Sequence, residues 1–122
     1  MVTELKKGIR RPGPVTTLGL AGVANAAVIY QVSNFAQQVG TKSVRLLKIM
    51  ARPAAGVADD IHIGTGVGGA FVDLVPAVRI IGGMDNEWQA TELPEAESNV
   101  DITAYGVAIA GNFVQLEVEE VG

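Results

Sequence analysis

The clearest patterning in the chain lies near its C-terminus. Val100, Ile102 and Ala104 alternate with Asp101, Thr103 and Tyr105, and Val114, Leu116 and Val118 alternate with Gln115, Glu117 and Glu119. A period of two places each apolar set on one face of a strand. Gly111-Asn112 lies between the two runs and is a two-residue turn signal, so residues 100–110 are predicted to pair antiparallel with 113–120. Upstream, residues 15–21, 26–33, 43–51 and 60–63 read as further strands. Residues 71–75 and 77–81 form two β-prone pieces separated by Pro76, which cannot donate to a central ladder and marks an edge, bulge or kink. Residues 87–93 carry the only Trp, Trp88, and stop at Pro94; residues 95–99 read as a polar loop. Val28, Val32, Phe35 and Val39 also fall at a helical spacing, which leaves a short helix over 34–39 as an alternative there.

Short strands at this spacing, with no long amphipathic helix between them, predict an all-β fold of about eight strands. The architecture expected is an antiparallel β-sandwich or jelly roll, the jelly roll being favoured. Composition agrees. Of 122 residues 48% are hydrophobic but only 5% aromatic, so the core must be built from aliphatics, and seventeen Val and nine Ile against eight Leu favour a pleated surface. Fifteen Gly and five Pro supply turns. The length suits a single core, residues 15–122, preceded by a basic Pro/Gly-containing arm over residues 1–14. That arm is too poor in apolar side chains to order by itself, so it is expected to dock on its own subunit or on a neighbour.

Charge changes the picture. The net charge of -4 conceals a split: up to Arg52 there are eight basic residues against Glu4 alone, and beyond it Arg79 alone stands against twelve acids. Such asymmetry suits nucleic acid, or copies of one protein meeting positive face to negative face. A pI near 4.8 and a basic cluster without stacking aromatics argue against nucleic acid. The expected partner-binding residues are Lys6, Lys7, Arg10 and Arg11, and the expected partner is protein.

The uncharged stretch between Arg11 and Lys42 is interrupted by Asn25, Gln31, Ser33 and Asn34, and it contains no apolar run of the roughly 18 residues that a membrane span requires. Residues 6–11, 15–24 and Ala24-Asn25-Ala26 trace the outline of a signal peptide, against which stand Pro12, Pro14 and the diluted apolar stretch.

Candidate chemistry is thin. Gly64-Thr65-Gly66-Val67-Gly68-Gly69 matches the dinucleotide fingerprint GxGxxG, but the β-prone run Phe71-Val72-Asp73-Leu74-Val75-Pro76 follows where a helix is required, so no cofactor is expected. His62 is the only histidine and alternates with Ile61 and Ile63; no serine sits in a nucleophile elbow, and no enzymatic activity is expected. Asp59-Asp60 and Asp85-Asn86-Glu87 offer oxygen ligands but fall short of the six to eight that calcium takes, so no metal site is expected. The absence of Cys removes disulfides and thiolate sites.

The runs Ile61-His62-Ile63-Gly64-Thr65-Gly66, Pro76-Ala77-Val78-Arg79-Ile80-Ile81 and Gly83-Met84-Asp85-Asn86-Glu87-Trp88, with the acidic C-terminal strands, resemble small β-sandwich proteins of tailed phages, in particular capsid decoration (cement) proteins. The resemblance covers about half the chain, residues 61–121. It implies a homotrimer on the capsid exterior and no catalytic residues. The expected function is therefore a non-enzymatic structural protein that homo-oligomerises, with a trimer as the expected count, and stabilises a larger shell through its basic arm. The alternative is a ligand- or glycan-binding module using loops 57–70 and 82–88, which an exposed Trp88 would favour.

Overall fold

A computed structural model describes residues 9–32, 43–82 and 87–121; the helical alternative at 34–39 lies outside them. Eleven strands occur among the described residues: β1 (Ile9–Pro12), β2 (Thr16–Thr17), β3 (Ala27–Tyr30), β4 (Ser43–Arg52), β5 (Asp59–Thr65), β6 (Val72–Asp73), β7 (Val78–Ile80), β8 (Gln89–Glu92), β9 (Glu97–Ser98), β10 (Ile102–Gly106) and β11 (Phe113–Val121). Two 3-10 turns, Val23–Asn25 and Gly68–Ala70, are described in full.

All strand pairs are antiparallel, and their order discloses the topology. One sheet runs β1-β11-β4-β8, with β2 also on β11 and β9 also on β4; the other runs β3-β10-β5-β6, with β7 also on β5. Joining the broken strands β1/β2, β6/β7 and β8/β9 leaves eight. These pair outward from the turn after β5 as a single folded-back ribbon: β5 with β6/β7, β4 with β8/β9, β3 with β10, and β1/β2 with β11. The ribbon then rolls, so that β11 also pairs with β4 and β10 with β5. This is a jelly roll, an all-β sandwich as expected.

The rolled topology overturns the C-terminal hairpin. β10 and β11 lie in different sheets, and the six residues between them cross the sandwich. Alternation correctly identified both strands, but period two carries no information about which strand is the neighbour. Residues 95–99 yield a short strand, β9, rather than loop alone.

The core is aliphatic. Val44, Leu46, Ile49 and Ala51 of β4, Val114, Leu116 and Val118 of β11, Ile61 and Ile63 of β5, and Ile102 and Ala104 of β10 are all fully buried. Each large aliphatic contributes about 1.5–3 kcal/mol by leaving water. β4 changes phase midway, from Val44 and Leu46 to Ile49 and Ala51. A register shift at this point, between Glu117↔Lys48 and Val118↔Leu46, absorbs one residue as a β-bulge and keeps both halves of the strand facing inward.

Candidate functional site

Among the described residues, several charges of the split meet inside the chain. The ribbon lays the basic first half against the acidic second half, so β1 and β4 flank β11, and β4 also meets β8 and β9. Arg45 lies 2.7 Å from Glu119 of β11, 3.3 Å from Glu97 of β9 and 3.8 Å from Glu95. Lys48 is in register with Glu117 on one side and Glu92 on the other. Opposite charges at cross-strand positions favour this register over a slipped one.

Of the four expected partner-binding residues, Lys6 and Lys7 lie outside the described residues. Arg10 and Arg11 sit on β1, paired with β11 of the same chain. Arg10 is 4.0 Å from Glu117, and Arg11 is 2.6 Å from Glu120. Glu120 continues the inward-facing series of Val114, Leu116 and Val118 and is only 5% exposed, so Arg11 supplies the counter-charge for an otherwise buried carboxylate. Tyr30 lies nearby, its phenol pushed above its usual range first by burial and then by Glu120.

His62 meets one carboxylate: its Nδ1 is 2.9 Å from Asp73 Oδ1, and its ring stacks on Tyr105 at 4.8 Å, with Phe71 edge-on to Tyr105 at 4.9 Å. This group lies on the outer face of the second sheet. It lines neither of two cavities of about 400 Å³, one formed by residues 11–14 and 28–31, the other by Ser43, Thr65, Leu74 and 97–100. The GxGxxG run spans the end of β5 and the turn after it. Gly64 has no room for a Cβ beneath the Val72 carbonyl, and Gly66 and Gly68 adopt positive φ. Those glycines make the ribbon tip. No group of three metal-ligating side chains occurs among the described residues. Asp60 faces Arg79 at 3.3 Å.

Asp59, read in the sequence only as half of an acidic pair, is instead a buried anchor, 1% exposed. Its Oδ1 accepts from the backbone N–H groups of Asp60 (2.7 Å), Val107 (3.0 Å) and Ala108 (2.7 Å), and its Oδ2 accepts from Ile109 N (3.3 Å) and from Asn112 Nδ2 (2.7 Å). Burial alone would raise its pKa; the N–H groups of Ala108, Val107, Asp60 and Ile109 outweigh burial and hold it below the ordinary carboxylate value. Asn112, fully buried, accepts from Ala54 N at 3.0 Å through its own Oδ1. Asp59 and Asn112 together fasten the β10–β11 loop to the β4–β5 loop.

That fastening gathers four loops at one end of the roll. Leu18 N donates to Asn112 O and Gly111 N to Leu18 O, while Gly22 N donates to Gly106 O, which brings in the β2–β3 loop. Gly82 packs on the backbone of Gly56 and Ala58, which brings in the β7–β8 loop. The surface they make is apolar. Leu20, Val23, Val57, Ile81, Trp88 and Val107 are six of the eleven large hydrophobics exposed among the described residues; Leu20 reaches 69% exposure and Ile81 61%. Residues 18–26, 53–58 and 107–112 contain no charged side chain at all. At the rim, the Arg52 guanidinium lies 4.4 Å over the Phe113 ring and 5.6 Å from the Trp88 ring.

The same geometry corrects the alternative binding site. Residues 57–70 do not form one loop, because β5 occupies 59–65, and the turn that follows folds back so that Gly68–Ala70 packs against Val23–Asn25. Residues 57–58 lie against Gly82 of the 82–88 loop at one end of the roll. Trp88 is 41% exposed, with the Arg52 guanidinium 5.6 Å from its ring centroid.

No family model and no curated protein matches the chain. Among solved structures it is similar over its whole length to one described as Bacillus endospore appendages forming a family of disulfide-linked pili, at 15% identity, 96% coverage of that chain and a TM-score of 0.43. It is likewise similar over its whole length to the Tobacco streak virus coat protein dimer, at 6% identity, 90% coverage and a TM-score of 0.49. Over 91% of its length it is similar to the virus-like particle of Macrobrachium rosenbergii extra small virus, at 9% identity, 78% coverage and a TM-score of 0.40. The jelly-roll assignment rests on the strand order rather than on these likenesses.

Proposed function

We propose that this chain is a non-enzymatic structural protein that homo-oligomerises, with the trimer as the expected count, and stabilises a larger protein shell such as a phage capsid. The observation that carries the reading is the apolar end of the roll, where three of the four loops carry no charged side chain. Loops normally meet water with polar residues, and a contiguous apolar patch of this kind marks a contact surface. Its occupant is a second copy. A chain of net charge -4 repels its own copies over most of its surface, and the sparsely charged end is where that repulsion is weakest. Asp59 and Asn112 hold the loops in place beforehand, which lowers the ordering cost of association. The shell contact falls to the N-terminal segment, with Lys6 and Lys7 ahead of β1 and with Arg10 and Arg11 on it. In that setting the protein resides on the virion surface.

Light scattering on the full chain at micromolar concentration tests the reading. The expected result is a mass above the monomer that falls to the monomer in Leu20→Ser/Ile81→Ser, with the thermal midpoint retained. A monomeric wild-type chain would contradict it. The exposure of Trp88 favours a second reading, a ligand-binding end; a saturable change in its fluorescence on titration with neutral oligosaccharides would support that instead.

A further inference from the structure

We infer that Arg52 is the polar anchor of the contact between copies and that it takes the Glu87 carboxylate of the neighbouring copy. The inference rests on the reading that the apolar end joins copies, and it adds the pair that fixes their orientation.

Four other arginines are described, Arg10, Arg11, Arg45 and Arg79, and each has a carboxylate of its own chain within 4.0 Å. Arg52 has none among the described residues. Its Nε is buried without a hydrogen-bond partner. The guanidinium lies between Phe113, its direct cross-strand neighbour, and Trp88. Rings on both sides limit its rotamers and leave the edge of the guanidinium to face an acceptor, so little side-chain entropy remains to be lost when an acid arrives. A stacked arginine beside an exposed tryptophan, bordered by aliphatics, has the composition of an interface hot spot.

Glu87 fits the complementary role. It is exposed, has no ion pair among the described residues and adjoins Trp88, and it is the only charged residue among the described positions of the four end loops. A cation and an anion on the same end cannot both be satisfied by an uncharged face. When copies meet through that end, the Arg52 of one and the Glu87 of the next are complementary, whether the contact is reciprocal about a two-fold axis or runs around a ring. A carboxylate-bearing sugar would use the same guanidinium, and the test below distinguishes it.

The test is a charge swap in the full chain, read by sedimentation velocity across a concentration series at 0.15 M salt. Arg52→Glu and Glu87→Arg are each expected to raise the dissociation constant at least tenfold, and the double variant Arg52→Glu/Glu87→Arg to return it to within about threefold of wild type, since single changes leave a like-charge contact and the swap removes it. Glu87 is exposed, so Glu87→Arg folds even if Arg52→Glu does not, and Trp88 fluorescence reports on folding in both. A monomeric wild-type chain would sink the assembly reading itself. An assembled wild type whose dissociation constant is unmoved by Glu87→Arg, or a double variant no tighter than the singles, would overturn the pairing while leaving the assembly reading intact. Binding of N-acetylneuraminic acid that is abolished by Arg52→Glu in a variant series with unchanged assembly would likewise overturn it, in favour of a sugar acid.

Discussion

At the scale of single residues, Asp59 has the largest structural role for its size. Five N–H donors converge on one buried carboxylate, so Asp59→Asn replaces an acceptor oxygen with a donor that faces other donors. The expected loss is about 2–4 kcal/mol, as for other buried polar groups left unsatisfied, measurable by urea unfolding. Its pH dependence has a definite sign. A carboxylate held below its ordinary value of 3.8 contributes stability that is fully present above that value and disappears as the pH falls through the lower folded-state value. Wild type should therefore lose stability below about pH 4 more steeply than Asp59→Asn, and parallel profiles would show that the carboxylate carries no such linkage. In the sequence Asp59 was indistinguishable from Asp60, because its partners, 107–109 and 112, lie about fifty residues away. Gly64 is a second case: the glycine run is a literal motif match, yet its function is clearance beneath Val72.

At the scale of elements, alternation revealed the long strands because one face of each is buried and the other wet. β11 was legible for that reason, β4 was legible as an apolar run with Arg45 and Lys48 interspersed, and the jelly-roll class followed from the number and spacing of strands. Pairing was not legible. Gly111-Asn112 has the composition of a tight hairpin, but Asn112 directs its side chain inward to Asp59 and Ala54 N, and the loop becomes a crossover. β1 was missed as a strand because Arg10-Arg11-Pro12 lacks β-prone residues; its place is fixed by Glu117 and Glu120 on β11. Truncation separates β1 from the residues ahead of it. Removing residues 1–8 should leave the melting temperature unchanged, whereas removing 1–12 takes away β1 and leaves Glu120 buried without Arg11, at an expected cost of about 3 kcal/mol or more by analogy with other broken buried pairs. Equal midpoints for the two truncations would contradict that role for β1.

At the scale of the molecule, the charge split meant one thing in the sequence and another in the fold. Read along the chain, it pointed to copies meeting positive face to negative face. Rolled into the ribbon, Arg10, Arg11, Arg45 and Lys48 meet acids of β11, β8 and β9 within one subunit, and the surface left for a partner is the apolar end with Arg52 and Glu87 at its edge. The candidate end was visible in the sequence only as separate stretches, some of them read as the ends of strands such as 15–21 and 100–110, until the topology gathered them. The proposal that the N-terminal segment holds a shell stands apart from this, and Lys6→Glu/Lys7→Glu should weaken shell attachment without changing the mass in solution.

The central claim is that copies meet through the apolar loop end, and the absence of cysteine allows a direct test. Val107 lies on that end, 51% exposed, and Val100, 52% exposed, lies on the loop before β10 at the opposite end. Single variants Val107→Cys and Val100→Cys are oxidised at the same micromolar concentration, and disulfide-linked dimers are followed with time. The expected result is rapid cross-linking of Val107→Cys and slow, diffusive cross-linking of Val100→Cys. Equal rates, or a faster Val100→Cys, would contradict the account.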